Sequence, residues 1–265
     1  MKLFFSEFKP NYDSYSFPYQ VWLLREENDV VEPIYQAGFL PTRHLPNVYY
    51  LSRSLRVNLP GFDLSSENRR IINKTQEISS NLASLSDFNY TPEVQKMCKD
   101  YALERFDRGV FSSQTIKSIF ENKIFSHVFV FKNSNSQTPV GYAVCFINDK
   151  LLHYAYAFYN SEFIGQNLGA RMMLEAVSWA KQNQKAFAYL GTCYQTQSLY
   201  KTEFKGVEFF NGFRWSGDLL ELKELISLND QDEQEYLLKN KTYLEKFYQE
   251  GLESILDKFG TKIKL

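Results

Sequence analysis

Cysteine, net charge and long apolar runs are all scarce in this chain of 265 residues. Its three cysteines, Cys98, Cys145 and Cys193, are widely separated and odd in number. That leaves no disulfide framework and no metal-ligand spacing, and it fits a reducing compartment. The formal net charge is −1, which neither favours nor excludes nucleic acid. No stretch approaches the roughly 18 consecutive apolar residues of a membrane span. The opening MKLFFSEFKPNYD has too short an apolar run for a signal peptide. A cytoplasmic protein without metal is the expectation. No internal repeat and no low-complexity segment is visible.

Aromatic residues, by contrast, are abundant: 17% of the chain, with 23 Phe and 18 Tyr. Most fall in periodic apolar segments, so an aromatic core is the first reading, ahead of a surface that stacks bases. Charge is unevenly spread. From residue 41 to 75, Arg43, Arg53, Arg56, Arg69, Arg70 and Lys74 face only Asp63 and Glu67, whereas the segment after Trp215 is acidic. A basic stretch of this kind is a weak pointer to an anionic partner, since solvated helix faces look alike.

Patterning gives an α+β or mixed α/β order. A short helix over 29–37 closes at Gly38, a strand runs over 48–58 to Pro60-Gly61, and a polar helix over 63–78 is capped by Ser65. Serines and asparagines over 79–89 predict a loop. Thr91 and Pro92 open a helix to about Phe106, and a second helix spans 113–121. Strands follow over 126–132, 140–148 and 151–159, the last two joined by a tight turn at Asn148-Asp149. A helix over 168–182 carries Leu168, Met172, Ala176 and Trp179 at helical period. A buried strand over 186–190 then ends at Gly191. Beyond it lie a short helix with Tyr200 and Lys201, and a strand that carries Glu208 and ends at Trp215. The tail over 219–259 reads as two or three amphipathic helices.

The stretch from Tyr189 to Trp215 concentrates the chemistry. Strand carboxyl ends are where α/β folds seat ligands, and hydroxyl, ammonium and carboxylate groups from Tyr200, Lys201 and Glu208 are expected to converge there. Upstream, Phe163-Ile-Gly-Gln-Asn-Leu-Gly-Ala170 precedes a helix. Its glycines allow close backbone approach, and the free N–H groups of the helix start favour an anion. A glycine turn that merely starts a helix explains the same residues.

Two resemblances build on these motifs. Gln166-x-x-Gly169-Ala170 after a strand pair, with Leu199-Tyr200 after the next strand, resembles the phosphate loop and tyrosine of the GNAT acyltransferases. More extensively, Tyr189-Leu-Gly191, Tyr200-Lys201, Phe204, Glu208 and Gly212-x-x-Trp215 resemble the arginyl-tRNA–protein transferases and the related bacterial leucyl-tRNA–protein transferases. Ala155-Tyr-Ala-Phe158-Tyr159, the Leu55-Arg56-Val57 to Arg69-Arg70 segment and Ala37-Gly38-Phe39 extend the match over about residues 18–215.

This resemblance implies a GNAT-like mixed sheet flanked by helices. A smaller N-terminal α+β domain (1–80), a helical connector (81–125), a catalytic core (126–215) and a helical tail (216–265) would divide the chain. It implies transfer of arginine or leucine from a charged tRNA to the N-terminal amine of an acceptor protein, marking it for degradation. Aminoacyl-tRNA would be co-substrate, with no cofactor. Gly191 and Thr192 N–H groups would hold the oxyanion, and Tyr200 would protonate the leaving oxygen. Lys201 would hold the terminal adenosine or phosphates, Glu208 would orient the amine, and Arg69 and Arg70 would bind the acceptor stem. Arg56, Tyr159, Asn160, Tyr189 and Tyr194 would line the tRNA site.

The chain also departs from the family. The family's Cys-rich N-terminal pattern is missing, with Phe17-Pro18-Tyr19 in place of a Cys-Pro-Tyr element, and Asn160 replaces an acid. An acyl-CoA GNAT acyltransferase is the alternative, and a family member that binds without catalysis is a third.

Overall fold

The computed structural model describes residues 1–13, 15–107, 109–229 and 236–249. Within these residues the strands form two sheets. The smaller has the order β1-β2-β4-β3, from β1 (Lys2–Glu7), β2 (Tyr19–Leu24), β3 (Phe39–Pro41) and β4 (Val48–Leu51). The larger has the order β12-β11-β5-β10-β9-β8-β7-β6. It contains β5 (Ser54–Asn58), β6 (Ile78–Ser84), β7 (His127–Asn133), β8 (Pro139–Ile147), β9 (Leu151–Tyr159), β10 (Phe187–Thr192), β11 (Val207–Phe210) and β12 (Trp215–Ser216).

At its centre, β7, β8 and β9 are antiparallel, and β10 lies parallel to β9 after the crossover helix α5 (Leu168–Gln182). This is the GNAT-like mixed sheet expected from the sequence. The continuous apolar runs of β8 and β9 suit strands covered on both faces. One face packs on α5, where Met172, Ala176, Val177 and Ala180 are wholly buried with Leu152, Ala188 and Phe209. The other face is shared. Helices α3 (Pro92–Arg105) and α4 (Ser113–Glu121) cover β7 and β8, through Cys98, Ile116 and Ile119 against Val128 and Val144. The small sheet and α1 (Glu32–Gln36) cover Leu151 and Tyr189.

Local signals account for the helix boundaries. Ser65 caps α2 (Ser66–Lys74) in a reciprocal capping box with Asn68, and Thr91 accepts from Val94 N at the start of α3. Gly38 adopts φ +84°, and Phe210 lies so close that a Cβ there would sit 2.2 Å from its ring. Glycine is required here both by conformation and by the approach of β11.

Four expectations are corrected. The single strand over 48–58 is two strands in different sheets: after β4 the chain turns at Ser52-Arg53, where Ser54 N donates to Ser52 O, and re-enters as β5. No glycine or proline marks that turn. The loop over 79–89 is largely the edge strand β6, which is ordered by full antiparallel pairing with β7 although its sequence is polar. The strand ending at Trp215 is a hairpin, β11 and β12, whose turn is held by Asn211 Oδ1 accepting from Phe213 N and Arg214 N. The segment bearing Tyr200 and Lys201 is a 3₁₀ helix, Thr196–Thr202.

The tail packs on the body. Helix α6 (Leu219–Asn229) carries Glu221, wholly buried. One oxygen of its carboxylate accepts from Asn211 Nδ2 (2.8 Å), Tyr243 Oη (2.5 Å) and Tyr248 Oη (2.7 Å), and the other accepts from Ser216 Oγ (2.6 Å). These bonds tie α7 (Lys241–Phe247) to the β11–β12 hairpin. The expected helices beyond Gln249 lie outside the described residues.

His153 joins the large sheet to α1: its Nδ1 lies 3.1 Å from Tyr35 Oη in a fully buried contact. Burial, and then the charge of Lys201, push its pKa down from 6.5 to about 3. The folded state therefore holds His153 neutral. Its contribution to stability is complete above the unfolded value and falls as the pH drops from about 6.5 toward 3. Urea unfolding at pH 6.5 and pH 5 should show an acid-induced loss about 2 kcal/mol smaller in His153→Gln than in the unsubstituted protein. Equal losses would contradict a neutral buried imidazole.

Candidate active-site cleft

The cleft arises where β9 and β10 part. They pair in parallel over three positions only, ending at Tyr189 opposite His153. Just beyond, β9 bulges against β8 between Tyr154 and Tyr156, and β10 bulges against β5 between Tyr189 and Thr192. A bulge bends its strand and re-aims side chains, so two successive bulges open the sheet at the strands' carboxyl ends. Gly191, at φ +78°, supplies the left-handed residue in the second bulge.

Two connected lobes fill this opening. They share Tyr101, Phe106, Tyr154, Ala157, Met173 and Tyr200. The first, about 290 Å³, has Gly191, Thr192 and Lys201 along one wall. Phe111, Phe125 and Tyr156 lie along another, and Leu40, Pro41 and Tyr50 of the small sheet along a third. The second, about 440 Å³, lies at the start of α5 and is lined by Gly165, Asn167, Gly169, Ala170, Tyr159 and Arg105, among others. Among the described residues, the charged side chains lining the two lobes are Lys201 and Arg105, and neither lobe is lined by an Asp or a Glu.

The sequence candidates fall into three groups. Tyr200, Lys201, Gly191 and Thr192 come together in the first lobe as expected. Lys201 Nζ donates to Thr192 O at 3.1 Å, and desolvation draws its pKa down from 10.5. Tyr200 is half-exposed, and desolvation followed by neighbouring Tyr159 raises its hydroxyl above the ordinary value of 10.

Tyr159, Gly169 and Ala170 gather in the second lobe. There the Tyr159 ring lies against Gly169, so that a Cβ would sit 3.1 Å from its Oη. Asn167 adopts φ +65° and makes no side-chain cap, and the first helical bond runs from Arg171 N to Asn167 O. The N–H groups of residues 168–170 are therefore without an intrahelical acceptor. Gln166 is exposed and turns back to Glu162 O (2.7 Å). Asn160 accepts from Glu162 N and donates to its carboxylate, capping a 3₁₀ turn.

The third group stays apart from the cleft. Glu208 is bonded to Arg56 Nε at 2.7 Å, and the guanidinium lies between the rings of Phe187 (4.1 Å) and Trp215 (4.0 Å). The expected convergence of carboxylate, ammonium and hydroxyl therefore extends only to Tyr200 and Lys201. Tyr189 is buried against Tyr35. Tyr194 accepts from Arg53 N at 2.8 Å. Arg69 is exposed on α2, and Arg70 pairs there with Glu67.

Sequence reasoning missed Tyr101, Arg105, Phe106, His153 and Tyr154. Tyr101 and Arg105 stand four residues apart on one face of α3, a spacing visible in the sequence. Nothing local ties that helix to residues 150–200, however. Among the described residues no cluster of His, Cys, Asp or Glu could hold a metal ion, and no helix is long and apolar enough to cross a membrane.

Comparison with known proteins places these elements. Residues 88–211 match the family described as "Arginine-tRNA-protein transferase, C terminus". The aspartate/glutamate leucyltransferase of Ruegeria pomeroyi is 23% identical over 168 residues, 61% of this chain and 60% of that protein. That of Cereibacter sphaeroides is 25% identical over 173 residues, with the same shares. That of Xanthomonas campestris pv. campestris is 30% identical over 77 residues, 28% of this chain and 31% of that protein. The chain thus spans 60% or less of the length of these relatives. Among solved structures, L-PGS from Bacillus licheniformis overlaps 57% of this chain and 50% of its own, with a TM-score of 0.41 and 13% identity. Through residues 88–211, which build most of both lobes, the chain is similar to the arginyl-/leucyl-tRNA–protein transferases.

Proposed function

We propose that the protein transfers an uncharged amino acid, leucine rather than arginine, from aminoacyl-tRNA to the amine of a polypeptide that begins with an acidic residue. One observation carries this reading: among the described residues, both lobes are walled by aromatic and aliphatic side chains and two cations, with no carboxylate. An arginine side chain entering the cleft would meet Lys201 or Arg105 and no counter-ion. Burying a charge without a partner is costly, whereas leucine suits the aromatic walls. The same two cations suit an acidic acceptor. The relatives' names, aspartate/glutamate leucyltransferase, agree with both halves of the reading.

The reaction is aminolysis of an ester. The acceptor's neutral α-amine, of ordinary pKa about 7.7–8.0, attacks the carbonyl carbon. Backbone N–H groups at Gly191 and Thr192 receive the oxyanion as the C–N bond forms. As the C–O bond breaks, the leaving ribose oxygen takes a proton from Tyr200, whose raised pKa keeps it protonated at neutral pH, and the proton lost by the attacking nitrogen returns to the phenolate. Lys201 holds the terminal nucleotide in the first lobe. Arg105 and the start of α5 face the acceptor's carboxylate in the second. Arg69, Arg70 and Tyr194 contact the RNA outside the cleft. Glu208 acts on the amine only through the placement of β11, since Arg56 holds its carboxylate.

A second reading, acyl transfer from an acyl-CoA, has its own support. The uncapped start of α5 opens on a lobe of about 440 Å³ that a pyrophosphate would fit.

Labelled leucyl- and arginyl-tRNA, each with peptides beginning Asp, Glu, Asn or Gln, should give leucine transfer to the Asp and Glu peptides. Turnover of acetyl-CoA with no transfer from any charged tRNA would select the second reading. Arg105→Gln should raise KM for the Asp peptide about tenfold or more, as expected for loss of a charge-assisted bond of about 1.5–3 kcal/mol, and leave KM for tRNA unchanged.

Tyr200→Phe should lower kcat at least about a hundredfold without changing the melting temperature. In the unsubstituted protein the rate should rise through about pH 8 as the amine deprotonates. It should fall again below pH 10.5, because Lys201 loses its proton earlier than a free lysine. An alkaline limb unmoved by Lys201→Met would contradict that assignment.

A further inference from the structure

One tyrosine of the cleft wall has no part in the chemistry above. Tyr154 lines both lobes and is only 5% exposed. Among the described residues, its Oη is buried and meets no hydrogen-bond partner. An unpaired buried hydroxyl is costly. The cost is offset when a ligand brings the partner.

The bulge in β9 sets this position. Before it, Leu152 and Tyr154 pack in the cluster with α5. Beyond it, Tyr156 and Phe158 turn toward α3 and α4, while Ala157 and Tyr159 take the α5 side. Ala157 is small and lines both lobes, so the lobes meet beside Tyr154. Of the residues that line both lobes, those with polar side chains are Tyr101, Tyr154 and Tyr200. Tyr101 stands against Tyr159, with ring centroids 4.5 Å apart, and the two hydroxyls interact. Tyr200 serves the leaving oxygen. Burial, and then Tyr200, Cys145, Tyr101 and Tyr159, push the Tyr154 hydroxyl well above the ordinary value of 10. It stays neutral, and its oxygen can accept a hydrogen bond.

An amine in this cleft needs such an acceptor, since among the described residues no Asp or Glu lines either lobe. The attacking nitrogen must reach the ester in the first lobe while the acceptor's carboxylate lies in the second. That places it at their junction. We propose that the Tyr154 hydroxyl accepts a hydrogen bond from the α-amine of the acceptor polypeptide and holds that nitrogen between the two lobes. The bond turns the lone pair toward the carbonyl carbon, and Tyr154 itself takes no proton. The identity of the amine rests on the transferase reading; the unpartnered hydroxyl at the junction rests on the geometry alone.

Binding of two peptides in the absence of RNA tests this. One begins with aspartate. The other carries a succinyl group there, which keeps the carboxylate and replaces the amine by hydrogen. At pH 8.5, where the amine is largely neutral, Tyr154→Phe should weaken the aspartyl peptide about tenfold and leave the succinyl peptide unchanged. Arg105→Gln should weaken both. In transfer assays Tyr154→Phe should raise KM for the aspartyl peptide and leave KM for aminoacyl-tRNA unchanged. Its melting temperature without ligand should rise by about 2 °C or more, because a buried unpaired hydroxyl is removed.

Unchanged affinity for the aspartyl peptide, equal weakening of both peptides, or a raised KM for aminoacyl-tRNA instead would overturn the assignment. So would a lower melting temperature, which would mean that the hydroxyl is already paired in the free protein. Failure of the unsubstituted protein to transfer from any charged tRNA would sink the transferase reading. The peptide comparison would still decide the role of Tyr154, because it needs no turnover.

Discussion

The cleft depends on the early separation of β9 and β10. Two parallel strands that continued side by side would satisfy each other's backbone groups and leave no opening. Here the pairing stops after three residues, and a bulge in each strand turns the chains apart. The separation is held from both faces. On one side α5 packs its wholly buried Met172, Ala176 and Val177 beneath the strands. On the other, helix α1 beside the small sheet grips the last paired positions through Tyr35, which touches both Tyr189 and His153. Because the paired part is rigid, the residues just beyond it are positioned by the body of the protein rather than by a loose loop.

This geometry separates the tasks within the segment from Tyr189 to Trp215. Tyr200 and Lys201 enter the cleft because the 3₁₀ helix after Gly191 folds back over the strand ends. Glu208 lies further along, on β11, where its carboxylate meets an arginine held between two rings. A part-buried ion pair between directly opposed residues favours the observed register of β5 against β11 whatever its effect on chemistry. The missing N-terminal cysteines also take on a structural sense. The small sheet and α1 are held to the body by apolar packing, with Leu23 and Phe39 of the sheet and Ile34 and Tyr35 of α1 buried.

Much of this was legible in the sequence. The helix over 168–182, the three central strands and the caps at Ser65 and Thr91 follow from local signals that tertiary packing reinforces. The grouping of Gly191, Thr192, Tyr200 and Lys201 was also readable, since all four lie within eleven residues on one strand–turn–helix unit. What escaped was non-local. The division of residues 48–58 between two sheets is made by a turn of ordinary residues, so no local signal announces it. β6 is polar and becomes a strand only because β7 offers a complete ladder. Tyr101 and Arg105 reach the cleft because α3 crosses β9, a relation between segments some fifty residues apart.

The central claim is that the parted strands hold an aminoacyl ester at Gly191 and Tyr200. The most direct measurement is a structure with a stable analogue, leucine joined by an amide to 3′-amino-3′-deoxyadenosine. The account predicts the amide oxygen within hydrogen-bonding distance of the Gly191 or Thr192 N–H, the ribose beside Tyr200, and the adenine in the aromatic first lobe. An analogue seated instead against Glu208 and Arg56, or with its adenosine along the start of α5, would contradict it.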